Sequence, residues 1–189
     1  SFAIAGNLTV EQSALTTLAG LCNLTSVGSL VIDRNAALTS LAALSNLTRV
    51  KSLTIRFNGS LTTLEGLNNL ARVGGDLVVE YSVGLPNLAA LSNLTRVEED
   101  LVIDFNPALT NLEGLNNLTR VGRDLVVKNH GSLTTLEGLN NLTSVGGDLV
   151  VRINGALTSL SALSTLTHVG GDLVVNDNSV LPTNSAQAF

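Results

Sequence analysis

The chain has little of several residue types on which other folds and functions depend. It contains one cysteine and no methionine or tryptophan, and aromatic residues make up 3% of it. A single cysteine excludes a disulfide scaffold and any cysteine-based zinc site. Charged residues make up 13% and leave a net charge of -5, which argues against nucleic acid as a partner. No run of about 18 apolar residues occurs, so the sequence predicts no membrane span.

What the chain has is hydrophobic residues, at 44% of 189 positions. That share excludes disorder, which needs low hydrophobicity and high charge. The length predicts one domain. Because the chain begins at Ser1 without the pattern of a signal peptide, we expect a processed or excised segment.

Internal repeats cover nearly the whole sequence. The leucine that opens each repeat recurs at spacings of 23, 23, 24, 24, 24, 24 and 24, at Leu15, Leu38, Leu61, Leu85, Leu109, Leu133, Leu157 and Leu181. Within one repeat, apolar residues follow each other every three positions and then every two, as in Val50, Leu53 and Ile55. A spacing of two indicates a strand with one buried face. The Thr, Asn, Ser and Gly residues between the leucines are poor helix formers.

The pattern therefore predicts an all-β fold, a leucine-rich-repeat-like β-solenoid of about eight stacked coils. One domain would span residues 1–189, with an N-terminal coil at 1–14, repeats at 15–180 and an incomplete coil at 181–189. Coils stacked at strand spacing, about 4.8 Å, bury in one column the leucines that a single coil cannot bury.

Val50, Leu53, Ile55 and Asn58 form the pattern V-x-x-L-x-I-x-x-N, which resembles leucine-rich repeats. The longer unit L-T-x-L-x-x-L-x-N-L-T-x-V-G-G-D-L resembles the repeats of receptor L-domains and related surface proteins. This resemblance implies an extracellular or cell-surface location and no catalytic activity. The disulfide-rich neighbours of the receptors are missing, so a receptor role does not follow.

In a stacked solenoid each repeat position becomes a ladder, meaning the set of equivalent residues on successive coils. The outward position of the main strand is rich in valine, and we predict a lateral interface there at Val78, Val102, Val126, Val150 and Val174. The alternative is that valine simply suits a strand.

A second ladder is acidic: Asp76, Asp100, Asp124, Asp148 and Asp172. We interpret it as capping the turn that follows G-G, with Arg72, Arg96 and Arg120 offsetting part of its charge. A calcium site beside Glu98 and Glu99 is the weaker alternative, because no D-x-D-x-D loop is present. No metal or cofactor is predicted.

A third ladder predicts a buried row of hydrogen-bonding residues: Asn35, Asn58, Ser82, Asn106, His130, Asn154 and Asn178. His130 is interpreted as a member of this row, and His168 as a surface residue at the position of the arginines. With the two histidines on different ladders, no nucleophile–base pair can be assembled, and we predict no enzyme activity.

N-x-[ST] sequons provide candidate glycosylation sites at Asn23, Asn46, Asn93, Asn117 and Asn141, whereas Asn58 should be buried and bare. Cys22 lies at a surface position, where it would form an intermolecular disulfide unless it is a chance substitution. Two threonine ladders, which include Thr134 and Thr143, raise the further alternative of an ice-binding face.

Neither end looks like a polar cap. A second copy placed after Phe189 would continue the repeat in phase, since Leu173 plus 24 and Leu8 plus 189 both give 197. We therefore predict head-to-tail stacking into a filament or surface layer, with the chain itself as partner. The candidate contacts are Phe2, Ile4, Leu8, Leu173, Val175, Leu181 and Phe189. The alternatives are a boundary set by processing, or an adhesion module that binds a cell-surface protein or glycan.

Overall fold

The computed structural model describes residues 1–182 and shows an all-β parallel solenoid of about 7 turns. Its principal strands are β2 (Leu8–Glu11), β3 (Leu24–Asp33), β4 (Arg49–Arg56), β6 (Leu77–Glu80), β8 (Leu101–Asp104), β10 (Leu125–Lys128), β12 (Leu149–Arg152) and β14 (Leu173–Asn176). Shorter strands are β1 (Phe2–Ile4), β5 (Arg72–Val73), β7 (Arg96–Val97), β9 (Arg120–Val121), β11 (Ser144–Val145) and β13 (His168–Val169). Single turns of 3-10 helix lie at Ala19–Leu21, Ala42–Leu44, Ala89–Leu91 and Ser161–Leu163.

Each principal strand pairs in parallel with its equivalent one repeat later. Leu53 of β4 lies beside Leu77 of β6, and Leu125 of β10 lies beside Leu149 of β12. This register confirms the predicted solenoid and the 24-residue repeat. The eight principal strands are joined by about seven turns, so the predicted eight coils count strands rather than closed turns.

The core is one continuous column of leucine, valine and isoleucine. Leu53, Leu77, Leu101 and Leu125 lie above one another and are at most 1% exposed. Fully burying one such side chain stabilises the fold by about 1.5 to 3 kcal/mol. Since every coil packs on its two neighbours, the stacking and not the single repeat supplies this stability.

The acidic ladder lies where each later strand is interrupted. In β3 and β4 the corresponding position holds serine, and Ser29 pairs with Ser52 in an unbroken strand. From Asp100 onward, the amide of each ladder aspartate instead bonds the carboxylate of the aspartate one coil earlier. From β5 and β6 onward, a short strand and a principal strand stand where β3 and β4 each form one long strand.

A left-handed residue ends each principal strand. Eight non-glycine residues there have φ between 46° and 62°: Gln12, Arg34, Phe57, Tyr81, Phe105, Asn129, Ile153 and Asp177. Continued alternation would turn Phe57 inward, but its left-handed backbone keeps it at the surface and places Asn58 in the core. This conformation costs about 1 to 2 kcal/mol for a side chain with a Cβ, and the buried ladder that follows offsets it.

Candidate interaction surfaces

The outward valines of the principal strands form one straight row. Val78, Val102, Val126, Val150 and Val174 are in register on adjacent strands, and all five are half-buried. The row is the predicted lateral stripe, and its residues share one face. Its use as an interface stays a prediction.

An aromatic stack lies along the left-handed residues at the ends of these strands. The rings of Phe57 and Tyr81 are 4.5 Å apart, those of Tyr81 and Phe105 are 5.0 Å apart, and the guanidinium of Arg34 sits 4.9 Å from the Phe57 centroid. Three of the five aromatic residues of the chain thus stand in one row, in which Phe57 and Phe105 are exposed and Tyr81 is half-buried. Our sequence prediction missed this row, although the 24-residue spacing of positions 57, 81 and 105 signals it.

Charged residues between the valine row and the aromatic stack neutralise one another. The buried carboxylate of Asp33 accepts from Arg34 at 2.8 Å and from Arg56 at 3.0 Å. The Lys128 ammonium lies 3.4 Å from Asp104. Desolvation by burial, with the nearby Asp104 charge, raises the pKa of Glu80. The charges on this face are largely satisfied within the chain.

The acidic ladder accepts hydrogen bonds from backbone amides across coils, whereas the sequence predicted that each aspartate caps the amides of its own turn. The Asp124 carboxylate accepts from the Asp148 amide at 2.9 Å, and the Asp148 carboxylate from Asp172 at 2.8 Å. The expected neutralising arginines lie elsewhere: Arg72 pairs with Glu98 at 2.9 Å. The charge on Asp100 is instead faced by Arg123, at 3.7 Å, because the arginine ladder stands on the short strands.

An arginine row runs along these short strands. Arg72 pairs in register with Arg96, and Arg96 with Arg120. Arg49 precedes Val50, which pairs with Val73, so the row begins one coil earlier. Ser144 and then His168 continue it, which confirms that His168 occupies the position of the arginines at the surface.

The predicted polar ladder is buried, and its hydrogen-bonding groups are satisfied. Asn106 illustrates it: its Oδ1 accepts from the Ser82 amide at 3.0 Å and its Nδ2 donates to the Val79 carbonyl at 2.9 Å. His130 replaces asparagine with Nδ1 3.2 Å from the Asn106 amide and Nε2 3.2 Å from the Ile103 carbonyl. Burial lowers the pKa of this imidazole.

The glycosylation candidates belong to a second asparagine ladder, which is exposed. Nδ2 of Asn46 and of Asn93, Asn117 and Asn141 donates at 2.7 Å to a backbone carbonyl of the preceding coil. Asn23 is also exposed, as is Cys22 beside it. Asn58 is fully buried. The structure thus separates surface sequons from the buried one, whereas their modification stays a prediction.

The threonine ladders use their hydroxyl donors within the fold. Oγ1 of Thr143 donates to the Thr119 carbonyl at 2.9 Å, and that of Thr134 to the Thr110 carbonyl at 3.2 Å. Each hydroxyl keeps lone pairs that can accept a hydrogen bond. The rows are therefore fixed, hydroxylated strips along the solenoid.

The two end coils expose the apolar column. Leu173 is 43% exposed, whereas its equivalent Leu149 is 0% exposed, and Leu15 at the other end is 48% exposed. Of the other predicted contacts, Phe2 is exposed and Ile4, Leu8, Val175 and Leu181 are half-buried. Phe189 lies outside the described residues.

The edges of the end strands are complementary. Between neighbouring coils, the amide of Leu149 donates to the Asp172 carbonyl and that of Ile153 to the Asn176 carbonyl. Leu173 and Asp177 are the residues one repeat after Leu149 and Ile153, so their amides point outward from the free edge of β14. The free edge of β2, at the other end, presents the corresponding backbone carbonyls. Within residues 1–182, neither outer edge is paired.

In the described part of the chain, no group of three or more His, Cys, Asp or Glu residues could hold a metal ion. No helix between residues 1 and 182 has the length and apolar character needed to cross a bilayer. Family models, curated proteins and solved structures were compared with the chain, and none matches it.

Proposed function

We propose that the protein is a structural repeat protein whose copies stack head to tail into a filament or surface layer. The observation that carries this proposal is the pair of end coils. Within the described residues, each end coil exposes a leucine that is buried in the internal coils, and each has a strand edge without a partner. The amide donors on the edge of β14 match the carbonyl acceptors on the edge of β2.

A copy placed on β14 would repeat the contacts found between internal coils. Leu173 would be covered as Leu149 is, and the carboxylate of Asp172 would accept an amide as Asp148 does. Burying exposed leucine at both ends supplies the driving force. Because the two surfaces are different, the contact is heterologous and the assembly does not close.

Electron microscopy and light scattering at micromolar concentration test the proposal. We expect filaments with an axial repeat of about 38 Å, from eight strands at about 4.8 Å each. Leu15→Lys and Leu173→Lys place a charge at opposite ends, where each leucine is already exposed in one copy. Each variant alone should be monomeric.

Mixing the two variants separates this assembly from unspecific aggregation. Leu15→Lys keeps an intact C-terminal coil, and Leu173→Lys keeps an intact N-terminal coil. These two intact ends can bind each other, whereas the two outer ends of the pair are blocked, so an equimolar mixture should form dimers only. Val83→Lys is the control, since Val83 is 47% exposed on an internal coil and its variant should still form filaments. A wild-type monomer of 19.6 kDa at high micromolar concentration would contradict the proposal.

We include in the same proposal that the chain is related to receptor L-domains and leucine-rich repeats and that it is extracellular. This relationship is supported by the parallel solenoid, the 24-residue repeat and the buried asparagine ladder. We further propose glycans on exposed sequons, with Asn23 and Asn46 among the candidates, and only partial occupancy, because sites on adjacent coils such as Asn93, Asn117 and Asn141 crowd one another. An intact mass that glycosidase treatment leaves unchanged would exclude them. Ice binding has less support, because the threonine hydroxyls donate to the backbone.

A further inference from the structure

The arginine row concentrates positive charge on this acidic chain. Arg49, Arg72, Arg96 and Arg120 stand on four successive coils and are all exposed. Adjacent strands lie about 4.8 Å apart, and like charges directly opposite each other on a sheet destabilise it. Four guanidinium groups in register therefore need negative charge from another source.

The chain supplies only part of that charge. The Glu98 carboxylate lies 2.9 Å from Arg72 and 3.9 Å from Arg96. For Arg49 and Arg120, residues 1–182 provide no acidic group within 4.0 Å. The nearby Arg123 is engaged by Glu99 and Asp100. The two outer arginines of the row remain free to bind an anion.

The surroundings of the row suit a hydroxylated ligand. A depression of about 440 Å³ opens between Arg49 and Arg72, lined also by Thr48, Val50, Ala71 and Gly74. Ala71, which interrupts the threonine ladder, and Gly74 are the smallest of these lining residues. The threonine ladder runs beside the arginines, and its hydroxyl oxygens keep accepting lone pairs.

We propose that this row binds a linear acidic polysaccharide that lies along the solenoid axis. Carboxylate or sulfate groups spaced along such a chain would pair with guanidinium groups, which present a planar fork of donors to them, while sugar hydroxyls would donate to the threonines. The site is lateral, so it is independent of stacking through the end coils.

A polysaccharide fits the row better than a nucleic acid does. Sites for single strands combine a basic groove with aromatic side chains on which bases stack. The aromatic stack of this protein, Phe57, Tyr81 and Phe105, lies at the far end of the principal strands and not along the arginine row.

Calorimetric titration with polygalacturonate fragments tests the proposal, with neutral dextran as the uncharged control. Titrations use the full chain carrying Leu173→Lys, so that filament formation does not add avidity. We expect binding that weakens as salt is raised. Removing both free charges in Arg49→Gln/Arg120→Gln should weaken it roughly tenfold, about 1.4 kcal/mol.

Arg152→Gln is the matched control for the single variant Arg49→Gln, because Arg152 is exposed on a principal strand and each substitution removes one positive charge. It should leave the affinity within about twofold of the parent. Circular dichroism checks that each variant is folded. The proposal is overturned if polygalacturonate does not bind, if Arg152→Gln weakens binding as much as Arg49→Gln, or if a single-stranded oligonucleotide binds more tightly at the row.

Discussion

Two asparagine ladders run the length of the solenoid and differ chiefly in their exposure to water. In the buried ladder, each carboxamide bridges coils through both of its ends: Asn106 accepts from Ser82 and donates to Val79. In the exposed ladder, Asn117 donates to the Ser92 carbonyl at 2.7 Å, and the residue is exposed. The two residues lie in consecutive repeats, and each bonds the backbone of the coil before its own.

The comparison teaches that a hydrogen bond of similar length contributes very differently in the two places. Removing a buried partner leaves groups that water cannot reach, at about 1 to 3 kcal/mol for each. Removing an exposed partner lets water replace it, so little is lost. The buried ladder therefore holds the coils in register, whereas the exposed one leaves room for substitution and modification.

Truncating the buried carboxamide should have the largest effect. Asn106→Ala leaves the Ser82 amide and the Val79 carbonyl without their hydrogen-bond partner, and it also leaves a cavity. We expect a loss of about 3 to 5 kcal/mol in the free energy of unfolding. Urea denaturation measures it, provided that the slope m is unchanged. Hydrogen exchange should show the loss at the coils on both sides of Asn106, because neighbouring coils share the bonds.

Exchanging His130 for the ladder's usual residue should have a smaller, pH-dependent effect. Burial lowers the pKa of His130 in the folded state below its ordinary value of 6.5. As the pH falls below about 6.5, the unfolded chain takes up the proton first, so the folded state loses stability until the folded pKa is reached. His130→Asn keeps a partner for Asn106 and should remove this part of the acid destabilisation.

The measurement is urea denaturation at several pH values between 7.5 and about 5. His168→Asn is the control for the loss of an imidazole, because His168 lies exposed on β13. An equal slope of stability against pH in the wild type and in His130→Asn would show that His130 does not titrate differently in the folded state.

The repeat itself carries most of what sequence could predict. The period of 24 predicts the stacking of the coils, and the alternation of Leu53 and Ile55 predicts which face of the strand is inward. The recurring residue at the position of Asn58 predicts the buried ladder. The left-handed residues were not predicted, because Phe57 and Tyr81 are poor candidates for positive φ. The conformation places Asn58 in the core, where its side chain bonds the neighbouring coil. It therefore depends on the packing of the coils and not on the local propensity of Phe57.

The ion pairs of the arginine row also escaped prediction, for a different reason. Sequence proximity pointed from Arg96 to Asp100, four residues away. The structure pairs Arg72 and Arg96 with Glu98 and turns the aspartates toward backbone amides. Contacts across coils depend on which face of the strand a residue occupies, and a change of one position reverses that face.

Truncating the exposed carboxamide should have the smallest effect. Asn117→Ala removes one bond to the Ser92 carbonyl, which water can then reach. We expect the free energy of unfolding to fall by about 0.5 kcal/mol, close to the error of urea denaturation. Asn106→Ala and Asn117→Ala remove the same atoms from consecutive repeats, so the difference between them is assigned to burial. A loss of about 2 kcal/mol or more in Asn117→Ala would mean that the exposed ladder also sets the register of the coils, and glycans on it would then strain the fold.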